Sequence, residues 1–287
     1  MPVLFDLSGR AKLRLTGADR IRYLNGQVTN DVRKANANLS MAACVLSAKG
    51  KIDALIYITG GEDELLLDAD PELRETLAQR LERYIIADDV TIADITGAFA
   101  LFHSIGEAPP LLPNESHWRR GKRFGLAGWD LLVAAAEHDR VLQALAAMDS
   151  VCDAESAERF RIEQGVPRWG RELTDQIIPV EANLEGEAID YAKGCYIGQE
   201  VISRMKMSGQ TNKRLCGLVS LQGTPLSLAM KLFTPDGRKE VGWITSATQS
   251  ARSGKEIALG FVKRGFNERG TKLEAEGTVE VVALPFR

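Results

Sequence analysis

Residues 193–200 read KGCYIGQE, and this stretch carries most of the chemical information in the chain. Cys195 lies between Gly194 and Gly198, and a glycine lets the backbone approach a ligand closely because it has no Cβ. Residues 199–206, QEVISRMK, have the apolar spacing of a short helix. We therefore expect Cys195 just before a helix N-terminus, where the helix dipole favours a thiolate.

The charge around this stretch is positive although the whole chain is acidic. Between residues 193 and 216 there are five basic residues and one acid, a local charge of +4 in a chain of net charge −3. Those charges also favour a thiolate or an anionic ligand. A buried, inert cysteine in a tight turn fits the same pattern, so the residues alone leave both interpretations of Cys195 open.

The other three cysteines, Cys44, Cys152 and Cys216, are widely spread and form no CxxC motif. Such usage in a chain of 287 residues predicts reduced thiols and a cytoplasmic protein. The spacing also argues against an iron–sulfur cluster ligated by this chain alone, and the three histidines match no metal-binding spacing. The sequence therefore predicts no resident metal site.

Composition excludes several classes of protein. The chain is 45% hydrophobic and 26% charged, which is typical of a globular protein of about two domains. An acidic balance and 6% aromatic residues argue against a nucleic-acid binder. No apolar run is long enough for a membrane helix, and the first residues do not resemble a secretory signal. Phosphate-loop, GxSxG, HExxH and GxGxxG motifs are absent.

The first two thirds of the chain predict an α+β fold with antiparallel sheets. The predicted strands cover residues 11–16, 42–47, 52–59, 64–68, 90–95, 98–104 and 130–135, and the predicted helices cover 71–86, 139–148 and 153–164. Thr16 and Asp19 have capping-box spacing, and Asp70 is placed to cap the helix that follows it. The basic residues of 119–123, after a Pro-rich loop at 107–114, favour a solvated loop face.

The last third predicts only strands. Residues 206–213 (KMSGQTNK) form a polar connector, which is typical of a domain boundary. Beyond it, strands are predicted over 214–220, 240–246, 257–262 and 278–284, so a small barrel or sandwich is expected. We therefore predict one domain over residues 1–206 and a second over 207–287.

Upstream of the cysteine motif, Glu163 closes a predicted helix just before a Gly-Val-Pro turn, and residues 179–183 (PVEAN) add a second acid. An ionised carboxylate only accepts hydrogen bonds, so it can pair with the N–H groups of a heterocycle. Two solvated acids are the simpler interpretation of the residues alone.

The motif KGCYIGQE closely resembles the signature of the YgfZ-type folate-binding proteins, which are iron–sulfur maintenance relatives of the glycine-cleavage T-protein (aminomethyltransferase) superfamily. Other segments match that superfamily in the same order: residues 15–31, 161–170, 178–183, 241–247 and 257–262. The resemblance therefore covers nearly the whole chain.

The resemblance implies a fold and a set of site residues. The implied fold has a multi-lobed N-terminal folate-binding part, with two interleaved α+β lobes of antiparallel sheets and helices, and a small C-terminal β-barrel. The implied cofactor is tetrahydrofolate or a derivative. Glu163 would contact the pterin, and Cys195 would be the functional thiol. The remaining cofactor-binding residues would be Lys193, Gly194, Tyr196, Gly198, Gln199 and Arg204.

The resemblance also implies a function, a folate-dependent accessory role in iron–sulfur cluster assembly or repair. The expected partners are assembly factors or client [4Fe–4S] enzymes, with no nucleic acid and no membrane. The alternative is a tetrahydrofolate-dependent aminomethyltransferase, with Asp53 as its catalytic carboxylate. Aminomethyltransferases carry a pair of acidic residues just after the glycine turn that corresponds to Gly50. In this chain Asp53 is followed by Ala54, so that pair is not intact. A third hypothesis is a thiol protein that does not use folate, and the sequence leaves open whether the chain is an enzyme.

Overall fold

The structure is a computed structural model that describes residues 3–107, 117–147 and 150–286. The chain forms two compact units that are discontinuous in sequence. The first comprises residues 1–153 and 186–201, and the second comprises residues 154–185 and 202–287. The linear boundary predicted at residues 206/207 stays a prediction. The Pro-rich loop expected at 107–114 lies, after Glu107, outside the described residues.

A ten-stranded mixed sheet organises the first unit, in the order β10-β1-β7-β9-β8-β3-β4-β5-β2-β6. Its pairs are antiparallel except β1–β10 and β3–β8. The strands are β1 (Val3–Asp6), β2 (Ala11–Thr16), β3 (Leu39–Leu46), β4 (Ile52–Gly60), β5 (Glu64–Ala69), β6 (Thr91–Asp94), β7 (Phe99–Ile105), β8 (Arg119–Gly121), β9 (Gly128–Ala134) and β10 (Ser150–Val151).

The strand patterns of the sequence are confirmed for most of this sheet. Alternating residues of β2 are apolar, and Leu13 and Leu15 are buried. The strands β3 and β4 are apolar on both faces and form a hairpin around Gly50, whose φ of +71° suits a residue without Cβ. The short strands β1, β8 and β10 were not predicted, since two to four residues carry too little periodicity.

Three helices belong to the first unit: α1 (Arg20–Gln27), α2 (Arg74–Glu82) and α3 (His138–Ala146). The helix predicted over residues 71–86 is shorter, because residues 71–73 form a 3-10 turn and α2 ends at Glu82. The predicted position of Asp70 is confirmed, since it is the N-cap residue before Pro71, but its side chain makes no capping hydrogen bond. The capping box is wrong, because the N-cap residue of α1 is Asp19 and its side chain makes no capping hydrogen bond either. Asp19 accepts a hydrogen bond from the backbone N–H of Asp89, and Asp70 accepts one from Arg10.

The second unit holds α4 (Ala154–Gln164) and a closed six-stranded barrel in the order β11-β14-β13-β12-β15-β16. Helix α5 (Gln199–Ser208) starts in the first unit and continues in the second. The barrel strands are β11 (Lys213–Ser220), β12 (Lys231–Phe233), β13 (Glu240–Gln249), β14 (Glu256–Lys263), β15 (Lys272–Glu274) and β16 (Thr278–Val282).

The barrel is antiparallel throughout and encloses its own apolar core. Leu218, Leu232, Ile244 and Leu273 are fully buried within it. The α+β fold with a small C-terminal β-barrel is thus confirmed. The three-residue strands β12 and β15, which close the barrel, were not predicted. Among the described residues, every helix is too short or too polar to cross a membrane.

Candidate functional site

The loop of residues 193–198 leads directly into α5, so Cys195 lies four residues before the helix begins. The loop is tied to the first unit through its backbone, since the N–H of Ile197 donates to the carbonyl oxygen of Gly26 at 3.1 Å. Cys195 itself is exposed. The loop therefore holds the thiol at the surface on an anchored backbone, close to the helix start that the sequence predicted.

Lys193 is the main side-chain anchor of this loop. Its Nζ donates to the carbonyl oxygens of Asn25 and Val28 at 2.7 Å and of Asn30 at 2.8 Å. A lysine ammonium has three donors, so none remains for a ligand in this structure. Burial lowers the pKa of Lys193 to about 8. Its expected contact with a folate stays a prediction, whereas its structural role was not predicted from the sequence.

Gly198 is required by close packing against the β3–β4 turn. Its φ is +84°, and a Cβ there would lie 2.7 Å from the carbonyl oxygen of Ser47. Gly50 in that turn is equally constrained, because a Cβ would lie 2.8 Å from the Cβ of Val201. By contrast, a Cβ on Gly194 would meet nothing within 4 Å. A close approach of the loop backbone therefore occurs at Gly198, and its partner in the structure is the protein backbone at Ser47.

Tyr196 and the cysteines differ sharply in exposure. Tyr196 is buried, with the Nζ of Lys193 5.1 Å from the centre of its ring, and burial raises its pKa to about 12. Burial also raises the pKa of Cys44 to about 12 and that of Cys216 to about 11, while Cys152 is half-buried. Cys195 is thus the cysteine that solvent reagents reach most easily.

Asp53, the expected catalytic carboxylate, is already paired. Its Oδ2 accepts from Nε of Arg80 at 2.8 Å, and Arg80 also donates to the backbone oxygen of Leu46 at 2.8 Å. Arg80 in turn lies with its guanidinium carbon 4.3 Å from the ring centre of Tyr84. The side chain of Asp53 therefore ties β4 to α2.

Two expected site residues lie in the second unit. Glu163, near the end of α4, accepts from the hydroxyl of Ser250 at 2.7 Å and from the backbone N–H of Ala251 at 2.8 Å, both through Oε1. Arg204 lies on the exposed side of α5, and Gln199 is the first residue of that helix in the first unit. The first unit itself brings together Lys193, Gly194, Cys195, Tyr196, Gly198 and Gln199.

A cavity of about 440 Å³ in the first unit was not predicted from the sequence. Its wall includes Tyr57 and Trp129, and the guanidinium carbon of Arg120 lies 5.2 Å from the centre of the Trp129 ring. Gly121 and Gly128 also line it, but a Cβ on either would meet protein, Asp130 at 3.0 Å and the carbonyl oxygen of Ser104 at 2.6 Å. Its volume is in the range of small-molecule sites, which also combine aromatic walls with a few polar groups.

A buried ion network supports one wall of this cavity. Arg123 donates through Nε to Asp130 at 2.8 Å and through Nη1 to Asp68 at 2.8 Å. Its guanidinium carbon lies 4.2 Å from the centre of the Tyr57 ring. Burial alone would raise the pKa of Asp130, but the charge of Arg123 together with the hydrogen bonds from His103 and Arg123 outweighs burial and holds this pKa far below its usual range. The solvated loop face expected at 119–123 is only partly correct: Arg120 and Lys122 are exposed, but residues 119–121 form β8 and Arg123 is buried between two carboxylates.

Polar residues also mark the entrance of the cavity. Lys122 and Glu187 both line it and form an ion pair at about half exposure. Arg120 is exposed, with no ion pair among the described residues. Within residues 3–107, 117–147 and 150–286, no group of three or more His, Cys, Asp or Glu side chains is placed to hold a metal ion. The cavity thus offers aromatic surface and cationic groups to a ligand.

Comparison with known proteins matches both parts of the chain. Residues 213–286 match the glycine cleavage T-protein C-terminal barrel domain. In an alignment of 321 positions, the chain is 26% identical to an aminomethyltransferase of Halalkalibacterium halodurans. The alignment covers 99% of this chain and 86% of the relative. It is 26% identical over 264 residues to the tRNA-modifying protein YgfZ of Sodalis glossinidius. This match covers 86% of this chain and 80% of the relative.

Two further matches complete this comparison. A putative chloroplastic transferase of Arabidopsis thaliana is 27% identical over 288 residues; the match covers 91% of this chain and only 65% of that relative's length. The solved structure of the glycine cleavage system aminomethyltransferase T from Bartonella henselae superposes with a TM-score of 0.86 at 18% identity, covering 100% of this chain and 86% of that chain. This last likeness shows the fold.

The barrel match, the fold and the relatives agree: residues 213–286 match the T-protein barrel domain, the fold is that of an aminomethyltransferase, and the chain is similar to aminomethyltransferases and to a YgfZ protein. The similarity to YgfZ supports the resemblance at residues 193–200.

Proposed function

We propose that this protein binds a tetrahydrofolate and supports the assembly or repair of iron–sulfur clusters through the exposed thiol of Cys195. The observation that carries the proposal is the first-unit cavity of about 440 Å³, which has aromatic walls at Tyr57 and Trp129 and cations near its entrance. A reduced folate combines a flat heterocycle with a carboxylate tail, and these groups match aromatic walls and cations, respectively.

Each group of residues has its own task in this proposal. Trp129 and Tyr57 contact the flat part of the ligand, while Arg120 is suited to a carboxylate of its tail; Lys122 is already paired with Glu187. Lys193 and Gly198 hold the loop that carries Cys195. When bound, tetrahydrofolate would supply a carrier for one-carbon units. The expected partners remain assembly factors or client [4Fe–4S] enzymes.

Equilibrium titration with 5-formyltetrahydrofolate tests the folate part. We expect saturable binding that weakens about tenfold in Arg120→Met and in Trp129→Leu, because each variant removes one contact of roughly 1.4 kcal/mol. Arg22→Met is the matched control, since Arg22 is exposed in the same unit and does not line the cavity. Absence of binding at millimolar ligand would refute folate binding by this chain.

Glu163→Gln tests the expected pterin contact separately. The amide keeps an oxygen that can accept from Ser250 and Ala251, so the local turn is retained while the charge is removed. Weaker folate binding in this variant would support a contact between Glu163 and the pterin. Unchanged affinity for 5-formyltetrahydrofolate would show that Glu163 does not contact the bound folate.

Complementation tests the iron–sulfur part. In a strain that lacks this protein, we expect wild-type protein to restore the activity of [4Fe–4S] enzymes and Cys195→Ala to fail. Cys152→Ala is the matched control at a half-buried cysteine. Full restoration by Cys195→Ala would overturn the role of this thiol, even if folate binding is confirmed.

Aminomethyl transfer is the second candidate function, because several relatives are named aminomethyltransferases. The pairing of Asp53 with Arg80 and the presence of Ala54 after it argue against proton handling at this strand. Purified protein with tetrahydrofolate and an aminomethyl donor should therefore form no more methylenetetrahydrofolate than a protein-free control. Product above that control would favour the transferase.

A further inference from the structure

The barrel unit contains a second cavity of about 440 Å³, formed entirely within residues 154–185 and 202–287. It lies on the outer face of the adjacent strands β14, β11 and β16. Val219 of β11 pairs across the ladder with Ile257 of β14 and with Glu280 of β16. Directly paired residues share one face of a sheet, so these three side chains form one row along the cavity floor.

The chain that follows β16 forms a fixed wall of this cavity. The backbone N–H of Phe286 donates to the carbonyl oxygen of Glu163 at 2.9 Å. Leu284 packs closely against two glycines, because a Cβ on Gly165 would lie 2.9 Å from it and a Cβ on Gly217 would lie 3.0 Å from it. The wall is therefore built into the unit, and it adds apolar surface to the floor.

A rim of cations completes the cavity. Arg252 and Lys255 lie in the β13–β14 connection, and Arg269 lies in the β14–β15 connection. All three are exposed, and none forms an ion pair within the described part of the chain. Two carboxylates, those of Glu163 and Glu280, also line the cavity, and each has its own neighbours. Glu163 is engaged by Ser250 and Ala251, and Glu280 lies opposite Lys272 in the sheet register.

The β13–β14 connection is held in shape by its own hydrogen bonds. The hydroxyl oxygen of Ser250 accepts from the backbone N–H groups of Arg252 at 3.3 Å and Ser253 at 3.2 Å, while the same hydroxyl donates to Glu163 at 2.7 Å. Glu163 is thus a positioning residue for the segment that carries Arg252. A pre-organised segment loses less entropy when it binds a ligand.

We propose that this cavity is a separate binding site for a small anionic molecule with an apolar or aromatic body, whose carboxylate or phosphate group meets Arg252, Lys255 and Arg269. Val219 and Ile257 of the floor and Leu284 of the wall accept the body, and the cations at the rim accept the charge. This inference goes beyond the proposed function, because it concerns a cavity in the other unit and the cations Arg252, Lys255 and Arg269. Glu163, the expected pterin contact, also lines this cavity, so competition with folate must distinguish the two sites.

Fluorescence titration of the full chain with 8-anilinonaphthalene-1-sulfonate tests the site, because this dye joins an anionic group to an aromatic body. We expect saturable binding with a Kd that rises about five- to tenfold in Arg252→Ala and in Arg269→Ala, since a charge-assisted hydrogen bond contributes roughly one factor of ten. Arg238→Ala is the matched control, because Arg238 is exposed on another connection of the barrel and does not line the cavity.

Competition with the dye identifies the charged group of the ligand. Displacement by inorganic phosphate indicates a phosphate-type ligand, and displacement by benzoate alone indicates a carboxylate on an apolar body. An unchanged Kd in the combined Arg252→Ala, Lys255→Ala and Arg269→Ala variant would overturn the proposal. Displacement by 5-formyltetrahydrofolate that disappears in Arg252→Ala would also overturn it, because the cavity would then belong to the folate site.

Discussion

The Nζ of Lys193 and the carbonyl oxygen of Val28 lie 2.7 Å apart, so the cysteine loop is bonded directly to the residue that ends α1. The last carbonyl groups of a helix lack partners within the helix. Asn25, in the last turn of α1, and Asn30 beyond it are bonded by the same ammonium group. One side chain therefore satisfies several backbone acceptors and fixes the loop that presents Cys195.

Lys193→Met should lower the free energy of unfolding by about 2–4 kcal/mol, because it leaves the buried carbonyl oxygen of Val28 and the partly buried ones of Asn25 and Asn30 without their donor. Urea denaturation of the purified chain measures this change. Lys49→Met is the control, since Lys49 is exposed in the turn between β3 and β4. Equal stability of the Lys193 and Lys49 variants would contradict the anchoring role.

Gly198→Ala should lower the free energy of unfolding by about 1–3 kcal/mol. Its φ of +84° is unfavourable for alanine, and the added Cβ would collide with the carbonyl oxygen of Ser47. Gly194→Ala, in the same loop, should change stability by less than about 0.5 kcal/mol because its Cβ would enter open space. Thermal unfolding of both variants provides the comparison, and equal losses would rule out this packing.

Arg123→Met should be strongly destabilising, by about 3–5 kcal/mol, since it leaves Asp68 and Asp130 as buried carboxylates without their shared partner. Arg120→Met changes a nearby arginine that is exposed on Trp129, so its cost should stay below about 1 kcal/mol. Chemical denaturation distinguishes the two. A small loss in Arg123→Met would mean that the network contributes little to folding.

The carboxylate of Asp31 should make stability depend on acid pH. Hydrogen bonds from Arg33 lower the pKa of Asp31 from 3.8 to about 2 in the folded chain. A carboxyl with a lowered folded pKa stabilises the fold fully above its unfolded pKa and loses this contribution as the pH falls. The difference in unfolding free energy between wild type and Asp31→Asn should therefore shrink between pH 4 and pH 2. A constant difference over this range would contradict the pairing.

Alkylation of the native chain should distinguish the cysteines by their solvent exposure and thiol pKa. Iodoacetamide is expected to label Cys195, which is exposed, and to spare Cys44, whose pKa is raised to about 12 by burial. Peptide mass spectrometry reads out each site, and labelling of Cys44 after denaturation is the internal control. A native chain that resists labelling at Cys195 would show that the loop shields this thiol.

The sequence predicted elements whose cause is local. Strand β2 follows from alternating apolar residues, and α4 follows from its length and from Gly165 after its end, where φ is +70°. The cysteine motif also predicted a resemblance that the names of the similar proteins support. These features need no knowledge of distant contacts.

The features that were missed depend on partners far away in the chain. Arg123 is buried because Asp68 and Asp130 surround it, and charge alone predicts the opposite. The structural role of Lys193 was missed because its acceptors lie more than 160 residues earlier in the chain. The cavity at Trp129 requires strands β3, β8 and β9 to be neighbours, which no local pattern reveals.

The discontinuous first unit has a consequence for biosynthesis. Residues 186–201 belong to it, so the ribosome must translate all of residues 154–185 before the segment with Lys193 is available. At roughly 5–20 residues per second, the interval between Asp153 and Val201 lasts about 2–10 s. During this time the nascent chain exposes the carbonyl groups of Asn25, Val28 and Asn30 without their later partner. The translation speed across residues 154–201 therefore sets the time during which the first unit lacks residues 186–201.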